Sequence, residues 1–335
     1  MENTREKPSV SVVVTIHNGG PHYPTCFESL CRLAYPNDRL EVHVVDDCST
    51  DGTREFLKRQ TPPDFIHRHF PDSNLGRSQA CNMALGHTTG EVVIFLDGDM
   101  EVQPDFVEQH VAELAKPGRE AVVGKVEPAS WLPKSKLNRY LYESSLRGPR
   151  RFGDIQPLGF QYLIFNNAAL SRAAVEAGGT FEESFRHFGG KDILFGYRVA
   201  QRFPDGIYYG NRSVSYHHQD RSLDAHLKLL RDYGYHNLPR ILSHNPEIAN
   251  ILAADFAWPL TGNYFRHKRL LGRLLFNPIT RFLGRVLLPV LPFPISNMLV
   301  RFLIVASVVQ GLRSYVRNNK IYTQPPAPPA SEAKS

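Results

Sequence analysis

Cysteine is scarce in this chain of 335 residues, and its spacing fits no common metal or disulfide motif. The four cysteines, Cys26, Cys31, Cys48 and Cys81, form no C-x-x-C pair. We therefore expect neither a disulfide framework nor a structural zinc site. The first eight residues also lack the apolar stretch of a signal peptide,. Together these absences predict a cytoplasmic protein with free thiols.

Acidic residues are missing from a long stretch near the C-terminus. Between Phe256 and Lys320 there is no Asp or Glu, whereas the whole chain has a net charge of +6. The stretch carries ten basic residues: Arg266, Lys268, Arg269, Arg273, Arg281, Arg285, Arg301, Arg313, Arg317 and Lys320. The rest of the chain, with 29 basic and 33 acidic residues, is slightly acidic. The positive charge thus belongs to one segment and needs a local explanation.

The same segment is apolar as well as basic. Residues 286–300 carry no charge but contain three prolines, and Arg301 then interrupts the run. Because a spanning helix needs about 20 apolar residues, this pattern disfavours a transmembrane helix. It favours an element lying in the membrane interface, with its cations at anionic headgroups. A helix that packs on the rest of the protein and has a basic outer face is the alternative.

Apolar runs alternate with helical patterns in the first hundred residues. Strands are predicted at residues 9–16, 40–45, 65–69 and 91–96, and helices at 24–33, 54–60 and 78–86. This alternation predicts an α/β fold, a mostly parallel sheet flanked by helices on both faces. Further along, helices are predicted at 104–115, 171–178, 191–202 and 223–233, and strands at 121–126, 160–168 and 207–216.

The most informative motif is Asp97-Gly98-Asp99, which directly follows the apolar run 91–96. Substrates of open α/β sheets bind at the carboxyl ends of the strands. Two carboxylates one residue apart can hold a divalent cation that neutralises a diphosphate. Taken alone the triplet is also ordinary turn chemistry, so its interpretation depends on the motifs around it.

Five motifs in order resemble the family 2 glycosyltransferases, over about residues 9–220. They are Ser-Val-Val-Val-Thr-Ile-His-Asn at 11–18, Val-Val-Asp-Asp-Cys-Ser-Thr-Asp-Gly-Thr at 44–53, Asn-Leu-Gly-Arg at 74–77, Phe-Leu-Asp-Gly-Asp at 95–99 and Gly-Gly-Lys-Asp at 189–192. That family comprises inverting enzymes of the Rossmann-like GT-A fold that use nucleotide sugars. Gly196-Tyr197-Arg198 is similar to a motif of the polypeptide and chondroitin-type sugar transferases.

The resemblance implies a nucleotide-sugar site built from the first three motifs. Asp47 is expected to accept the imide N–H of a uracil, with capping of the next helix as the alternative. Thr15, His17 and Asn18 are expected at the base or ribose, although His17 stands where the family often has Tyr. Arg77 is expected to pair with phosphate, or else to be an ordinary surface arginine.

The resemblance also implies a metal site. Asp97 is expected to face ribose or a metal-bound water and so to belong to both the nucleotide-sugar site and the metal site. Gly98 is expected in the nucleotide-sugar site, and Asp99 is expected to bind Mn²⁺ or Mg²⁺ directly. Either of two adjacent histidines could complete the site or contact the diphosphate, since neutral imidazole is a suitable ligand for Mn²⁺; a structural role is the alternative. Adjacent residues on a strand point to opposite faces, so at most one of them binds, and His217 is favoured over His218.

Asp192 is the predicted catalytic base, because an inverting transfer needs one carboxylate to take the proton of the acceptor hydroxyl. The alternative is simple helix capping. A helix N-terminus is expected to lower the pKa of Asp192. The preceding position, commonly Glu in the family, is Lys191 here. The acceptor side is expected to include Trp131, Phe160, Arg198 and His218, with core packing as the alternative for the aromatic residues.

The sequence thus predicts five segments. They are an N-terminal arm (1–8), a nucleotide-sugar-binding half (9–100), an acceptor-binding and catalytic half (101–222), a helical, basic and apolar membrane-associated extension (223–320) and a disordered tail (321–335). The expected function is transfer from a UDP-sugar to a sugar or lipid-linked acceptor, in glycolipid or envelope polysaccharide synthesis. The expected place is the inner face of the cell membrane, with no nucleic-acid partner. A catalytically inactive GT-A-like scaffold and a nucleotidyltransferase are the alternatives.

Overall fold

The computed structural model describes residues 6–145, 147–257 and 266–319. The chain folds into two compact units. The first comprises residues up to 186 together with 191–220, and the second comprises 187–190 and the residues from 221 onward. The predicted disordered tail and most of the predicted N-terminal arm lie outside the described residues.

Within the described residues, the first unit is built on one sheet of eight strands. The strands are β1 (Val10–Ile16), β2 (Leu40–Asp46), β3 (Ile66–His69), β4 (Val92–Asp97), β5 (Met100–Val102), β6 (Ala121–Pro128), β7 (Asn167–Ser171) and β8 (Ile207–His217). Their spatial order is β3-β2-β1-β4-β7-β6-β8-β5. The strands β3, β2, β1 and β4 run parallel, whereas β7 is antiparallel to both of its neighbours. The predicted α/β fold is confirmed, with a sheet that becomes mixed beyond β4.

Helices connect the strands of the first unit. They are α1 (Tyr23–Cys31), α2 (Thr53–Arg59), α3 (Arg77–Gly86), α4 (Phe106–Leu114), α5 (Lys136–Glu143), α6 (Arg172–Gly178) and α7 (Lys191–Arg202). Val12, Val42 and Ile94 in the central strands are completely buried, as expected for a sheet covered on both faces. The polar side chains that follow these strands therefore lie at the edge of the sheet.

One predicted strand is wrong. Residues Phe160–Tyr162 form a short 3-10 turn, and the strand begins only at Asn167. Phe160, Leu163 and Phe165 are nevertheless buried. A short apolar run shows that a segment is buried but does not distinguish a strand from an irregular turn packed into the core.

A buried asparagine pins the irregular part of the sheet. The pairing of β6 with β8 shifts register between Gly124 and Lys125, where β8 carries the extra residues 211–213. Asn167 is completely buried, and its Nδ2 donates to the carbonyls of Lys125 and Ser213 at 3.1 and 3.0 Å. Its Oδ1 lies 2.7 Å from Nε2 of His110. A Cβ on Gly124 would lie 2.3 Å from the Asn167 side chain, so glycine is required there.

Replacing Asn167 with leucine should lower the free energy of unfolding by about 3 kcal/mol, because each buried polar group left unpaired costs about 1–3 kcal/mol. Chemical denaturation measures the change. The matched control is Asn211→Leu, at an exposed position in the same irregular segment, which should change stability by less than about 0.5 kcal/mol. Equal losses in the two variants would show that the Asn167 network does not hold the sheet together.

The second unit is helical in its described part. Its helices are α8 (Leu223–His236), α9 (Leu238–His244), α10 (Arg266–Leu275), α11 (Pro278–Leu287) and α12 (Ile295–Asn318). Two glycines let α8 and α12 approach closely: a Cβ on Gly234 would lie 2.2 Å from the carbonyl oxygen of Val308, and one on Gly311 2.0 Å from that of Arg231. Substituting either glycine would force these helices apart.

Helix α12 is longer than the sequence suggested. It continues through Arg301 for 24 residues. Within the described residues it is the one helix long and apolar enough to cross a membrane, and half of its most apolar stretch is buried in the protein. A helix in the core of a soluble protein can have the same length and composition. In agreement with that alternative, α12 buries Val300, Leu303 and Val309.

Four histidines gather at the edge of the sheet formed by β2 and β3. His43 and His67 are register partners, and Nδ1 of His43 lies 3.2 Å from Nε2 of His69. The rings of His69 and His87 stack with 4.4 Å between centroids. Burial, and then the neighbouring histidines, lower the pKa of His69 from 6.5 to about 4. His69 therefore stays neutral in the folded protein at pH values where it would be charged in the unfolded chain.

Acidification should destabilise the protein through this cluster. Between pH 6.5 and about 4 the unfolded state binds more protons at His69 than the folded state, so stability falls as the pH drops through that window. Thermal denaturation at about pH 7.5 and about pH 5 measures the loss. His69→Asn should lose less stability on acidification than the wild type, and the exposed His267→Asn should lose as much. An unchanged loss in His69→Asn would contradict this origin.

Candidate active site

The carboxyl edge of the parallel strands brings together charged side chains from distant motifs. Asp97 ends β4, and Asp99 lies in the turn before β5. Asp192 lies in the first turn of α7, and Arg77 is the first residue of α3. His217 ends β8 and is paired with Met100. Five residues predicted from the sequence therefore share one region of the sheet edge.

Gly98 is required by the packing of this turn. Its N–H donates to the carbonyl of Thr15 at 3.1 Å. A Cβ at position 98 would lie 2.7 Å from Cβ of Ile16 and 3.0 Å from the Thr15 carbonyl oxygen. The absence of a side chain at position 98 therefore lets the turn between Asp97 and Asp99 pack closely against the end of β1.

Asp99 is paired with a histidine and keeps one oxygen free. Its Oδ2 lies 3.3 Å from Nε2 of His217, and Nδ1 of that histidine lies 2.7 Å from the hydroxyl of Tyr142. The other oxygen, Oδ1, is buried without a hydrogen-bond partner. Burial by itself raises the pKa of Asp99, but the hydrogen bond and charge of His217 outweigh it and lower the pKa. The result is an ionised carboxylate with an unsatisfied buried oxygen.

These groups fit a divalent cation in part. A carboxylate oxygen and an imidazole nitrogen are suitable ligands for Mn²⁺, and carboxylates suit Mg²⁺. Over the described ranges, however, no group of three or more His, Cys, Asp or Glu is placed to hold a metal ion by itself. The other ligands of a cation at Asp99 would therefore have to come from a bound diphosphate and water.

The two adjacent histidines have different partners. Nδ1 of His218 accepts a hydrogen bond from Nε1 of Trp131 at 3.0 Å, and Nε2 lies 2.8 Å from the carboxylate of Glu101. Both ring nitrogens of His218 are therefore taken. Of the two histidines, His217 is the one that faces Asp99, and its binding of a metal stays a prediction.

Arg77 pairs with a carboxylate at this edge. Its guanidinium lies 3.0 Å from Oδ1 of Asp97 and is half-exposed. The charge of Asp97, and next to it those of Asp99 and Asp192, act to raise the pKa of Arg77 against the effect of burial. A phosphate group can pair with a guanidinium in the same bidentate way as a carboxylate, so Arg77 has the chemistry to bind a diphosphate.

Buried Lys191 lies beside half-buried Asp192. Nζ of Lys191 lies 3.8 Å from Oδ1 of Asp192 and donates to Sγ of Cys81 at 3.2 Å. Oδ1 of Asp192 has no hydrogen-bond partner. Burial raises the pKa of Asp192, and the ammonium of Lys191 only partly offsets this. The predicted lowering by the helix terminus is wrong, because desolvation is the larger effect here.

Asp47 holds the loop that leads to Arg77. Its two oxygens accept hydrogen bonds from the backbone N–H groups of Leu75 and Gly76, at 2.6 and 2.9 Å. Asp47 does not cap α2, since the N–H and hydroxyl of Thr53 bind Asp51 instead. The capping alternative is therefore wrong, and Asp47 fixes a loop at the expected nucleotide side.

The other predicted nucleotide contacts differ in exposure. Thr15 is buried, with its hydroxyl 3.8 Å from Sγ of Cys81. His17 and Asn18 are exposed. Nδ1 of His17 lies 2.6 Å from the carbonyl oxygen of Asp47, and Oδ1 of Asn18 accepts from the N–H of Thr50 at 2.8 Å. His17 and Asn18 can therefore meet a ligand directly, whereas Thr15 lies beneath them.

Of the four predicted acceptor-side residues, Trp131 is the exposed one. It is 42% exposed and stacks on the ring of His22 with 4.1 Å between centroids. Phe160 is buried, and Arg198 donates to the carbonyl of Thr180 at 3.0 Å. Burial of Phe160 favours its alternative, packing in the core, whereas the acceptor-side role of Trp131, Arg198 and His218 stays a prediction.

Sequence reasoning missed the groups that orient the two histidines. Glu101 lies in β5, two residues after Asp99. The spacing of these two acids is a signal that the sequence contains. Tyr142 lies on α5, 75 residues from His217 in the chain, and no pattern in the sequence connects the two. His22, which supports Trp131, likewise precedes α1 without any recognisable motif.

The sequence of this chain matches one family model and several characterised relatives. The model of the family described as glycosyl transferase family 2 matches residues 11–179. The glycosyltransferase AglE of Haloferax volcanii is 30% identical over 125 residues, which are 37% of this chain and 41% of that protein. Beta-monoglucosyldiacylglycerol synthase of Synechocystis is 34% identical over 113 residues, 33% of this chain and 24% of that protein. The matches span less than half the length of these relatives.

Solved structures extend the likeness to the fold. A mannosyltransferase from Pyrobaculum calidifontis, in complex with GDP-mannose and Mn²⁺, has a TM-score of 0.60 at 22% identity, covering 91% of this chain and 88% of that one. TarS of S. aureus has a TM-score of 0.52 at 17% identity, covering 92% and 55%. At such identities the likeness concerns the fold alone, and the predicted GT-A fold is confirmed.

Proposed function

Because the chain belongs to glycosyl transferase family 2, we propose that it transfers a sugar from a nucleoside diphosphate sugar to an acceptor hydroxyl, with inversion at the anomeric carbon. A UDP-sugar is the favoured donor. The observation that carries the proposal is the Asp99 carboxylate, which is paired with His217 and has a buried, unsatisfied oxygen. It lies at the carboxyl edge of the sheet, where nucleotides bind in open α/β folds.

The donor side is proposed to bind the diphosphate through two positive groups, a divalent cation and a guanidinium. Asp99 and His217 would hold Mn²⁺ or Mg²⁺, which would supply positive charge to the departing diphosphate. Arg77 would leave Asp97 and pair with a phosphate oxygen, which frees Asp97 to face the ribose. His17, Asn18 and the loop held by Asp47 would border the base.

Asp192 is the proposed catalytic base. As the acceptor oxygen bonds to the anomeric carbon, the bond to the diphosphate breaks on the opposite face, and the hydroxyl proton passes to the carboxylate. Burial raises the pKa of Asp192, which makes it a stronger proton acceptor than an exposed aspartate. The nearby ammonium of Lys191, 3.8 Å away, favours the ionised form that the reaction needs.

The acceptor is proposed to be a sugar or lipid-linked sugar at the inner face of the cell membrane. Support comes from the second unit, where large apolar side chains are exposed on the basic helices α10 and α11: Leu274 (64%), Ile279 (71%) and Phe282 (65%). Amphipathic, basic helices of this kind lie in membrane interfaces. One similar protein is named a beta-monoglucosyldiacylglycerol synthase, and a glycolipid or envelope polysaccharide product agrees with that environment.

A catalytically inactive nucleotide-binding scaffold is the second candidate. One observation favours it: position 191 carries a buried lysine next to the proposed base, where family members commonly have an acid. The carboxylates proposed for catalysis, Asp97, Asp99 and Asp192, are nevertheless all present. A measurement of turnover therefore decides between the two candidate functions.

Nucleotide binding tests the donor site. UDP with Mn²⁺ should raise the melting temperature of the wild-type protein, because a ligand at about 100 times its Kd stabilises the folded state by about 2.7 kcal/mol. Asp99→Asn should lose most of this metal-dependent shift, since the amide carries no charge. The exposed Asp205→Asn should keep it. The proposal fails if neither UDP, GDP, dTDP nor CDP shifts the wild type with Mn²⁺ or Mg²⁺.

Turnover tests the base. Asp192→Asn should lower kcat by about 10²- to 10⁴-fold, the usual contribution of general-base catalysis, while the nucleotide-induced thermal shift is retained. Asp205→Asn again serves as the control and should keep wild-type kcat. Nuclear magnetic resonance of the first-formed product should show the anomeric configuration opposite to that of the donor. Wild-type activity in Asp192→Asn would exclude this residue as the base, and nucleotide binding without turnover in the wild type would favour the scaffold.

A further inference from the structure

The second unit contains a cavity that the catalytic proposal does not use. Its volume is about 440 Å³, and it is lined by residues of α8, α11 and α12. Four basic residues and one acid line it: Lys228, Arg231, Arg281, Arg285 and Asp224. Apolar side chains, among them Phe282 and Leu303, complete the wall. The cavity is thus both cationic and apolar.

Positive charge in this cavity is only partly balanced. Arg285 pairs with Asp224 at 2.8 Å, at an exposed position. The NH1 group of Arg281 donates to the side chain of Gln310, but its Nε is buried without a hydrogen-bond partner. Burial, and then the charges of Arg285 and Arg231, lower the pKa of Arg281. An anion bound between these cations would relieve their repulsion and satisfy the Nε group.

The cavity is continuous with an exposed apolar surface. Phe282 lines the cavity and is itself 65% exposed. Large side chains of α11 lie exposed beside it: Ile279 (71%), Leu283 (50%) and Val286 (54%). We call these three residues together with Phe282 the α11 surface. An occupant that matches both features carries an anionic group joined to hydrocarbon.

We propose that the cavity binds the phosphate group of an anionic membrane lipid while the α11 surface enters the acyl layer. Guanidinium groups match phosphate oxygens in bidentate geometry, and basic pockets between helices bind lipid headgroups. The inference rests on the membrane attachment proposed above and assigns it a defined headgroup site. A nucleic acid would leave the α11 surface uncovered. A second copy in a two-fold contact would place the same arginines against each other.

Vesicle binding by the full-length protein tests the site. The protein should sediment with vesicles of phosphatidylcholine mixed with phosphatidylglycerol, and much less with phosphatidylcholine alone. Arg281→Gln should weaken binding to the mixed vesicles at least about tenfold. Arg301→Gln removes the same charge from an exposed position outside the cavity. It should cost at most about fivefold, the share of one cation near an anionic surface. Equal losses would overturn the site in favour of diffuse surface charge.

Two further experiments distinguish a lipid phosphate from a free phosphate ion. Phe282→Ser should weaken vesicle binding but leave any thermal stabilisation by inorganic phosphate unchanged. Stabilisation by phosphate that requires Arg281, in a protein that binds no vesicles, would overturn the lipid assignment in favour of a free anion. Arg285→Gln repeats the test at an exposed side chain, where folding is not at risk.

The outcomes also separate this inference from the proposed function. Failure of the wild type to bind any vesicle would contradict the proposed membrane attachment itself. Vesicle binding that is unchanged by substitution of Arg281 or Arg285 would contradict only the headgroup site. Neither result bears on nucleotide binding at Asp99.

Discussion

Burial of carboxylates at the carboxyl edge of the sheet is the constraint on which the rest of the first unit depends. A buried charge is tolerated only with a partner, and each aspartate here has a different one. Asp46 pairs with Arg54 at 2.6 Å, and Asp47 with two backbone N–H groups. Asp99 and Asp192 are matched by His217 and Lys191. The first two are fully satisfied and hold structure, whereas the last two each keep a buried, unpartnered oxygen. The unsatisfied pair is therefore where ligand chemistry can occur.

The sequence predicts the location of this site because topology decides it. Strands β1, β2 and β4 run parallel, so whatever follows each strand emerges at the same edge. Apolar runs locate the strands, and the polar residue after each run locates the site. Asp47, Asp97 and Asp99 could be placed in this way without knowing any contact. The helix from Lys191 and the strand ending at His217 could also be placed, because both have clear ends in the pattern.

Contacts between distant segments could not be predicted, because they depend on side-chain direction and burial. Tyr142 reaches His217 from α5, and Asn167 joins three strands through its amide; neither has a sequence signature. The pKa of Asp192 shows the same limit. Helix position alone argues for a lowered value, but the depth of burial reverses the sign, and depth is a property of the assembled fold. The burial of Phe160 could not be predicted for the same reason.

Lys191 shows how a departure from a family pattern can be compatible with the chemistry. Its ammonium is buried and lies close to Cys81 and Asp192, so the pocket balances one cation against the proposed base. An acid at position 191 would add a third carboxylate near Asp97 and Asp192, and repulsion would raise the pKa of Asp192 further. The lysine does the reverse and favours ionisation. Since ionised Asp192 is the form that accepts a proton, Lys191 is compatible with the proposed role of Asp192 as the base.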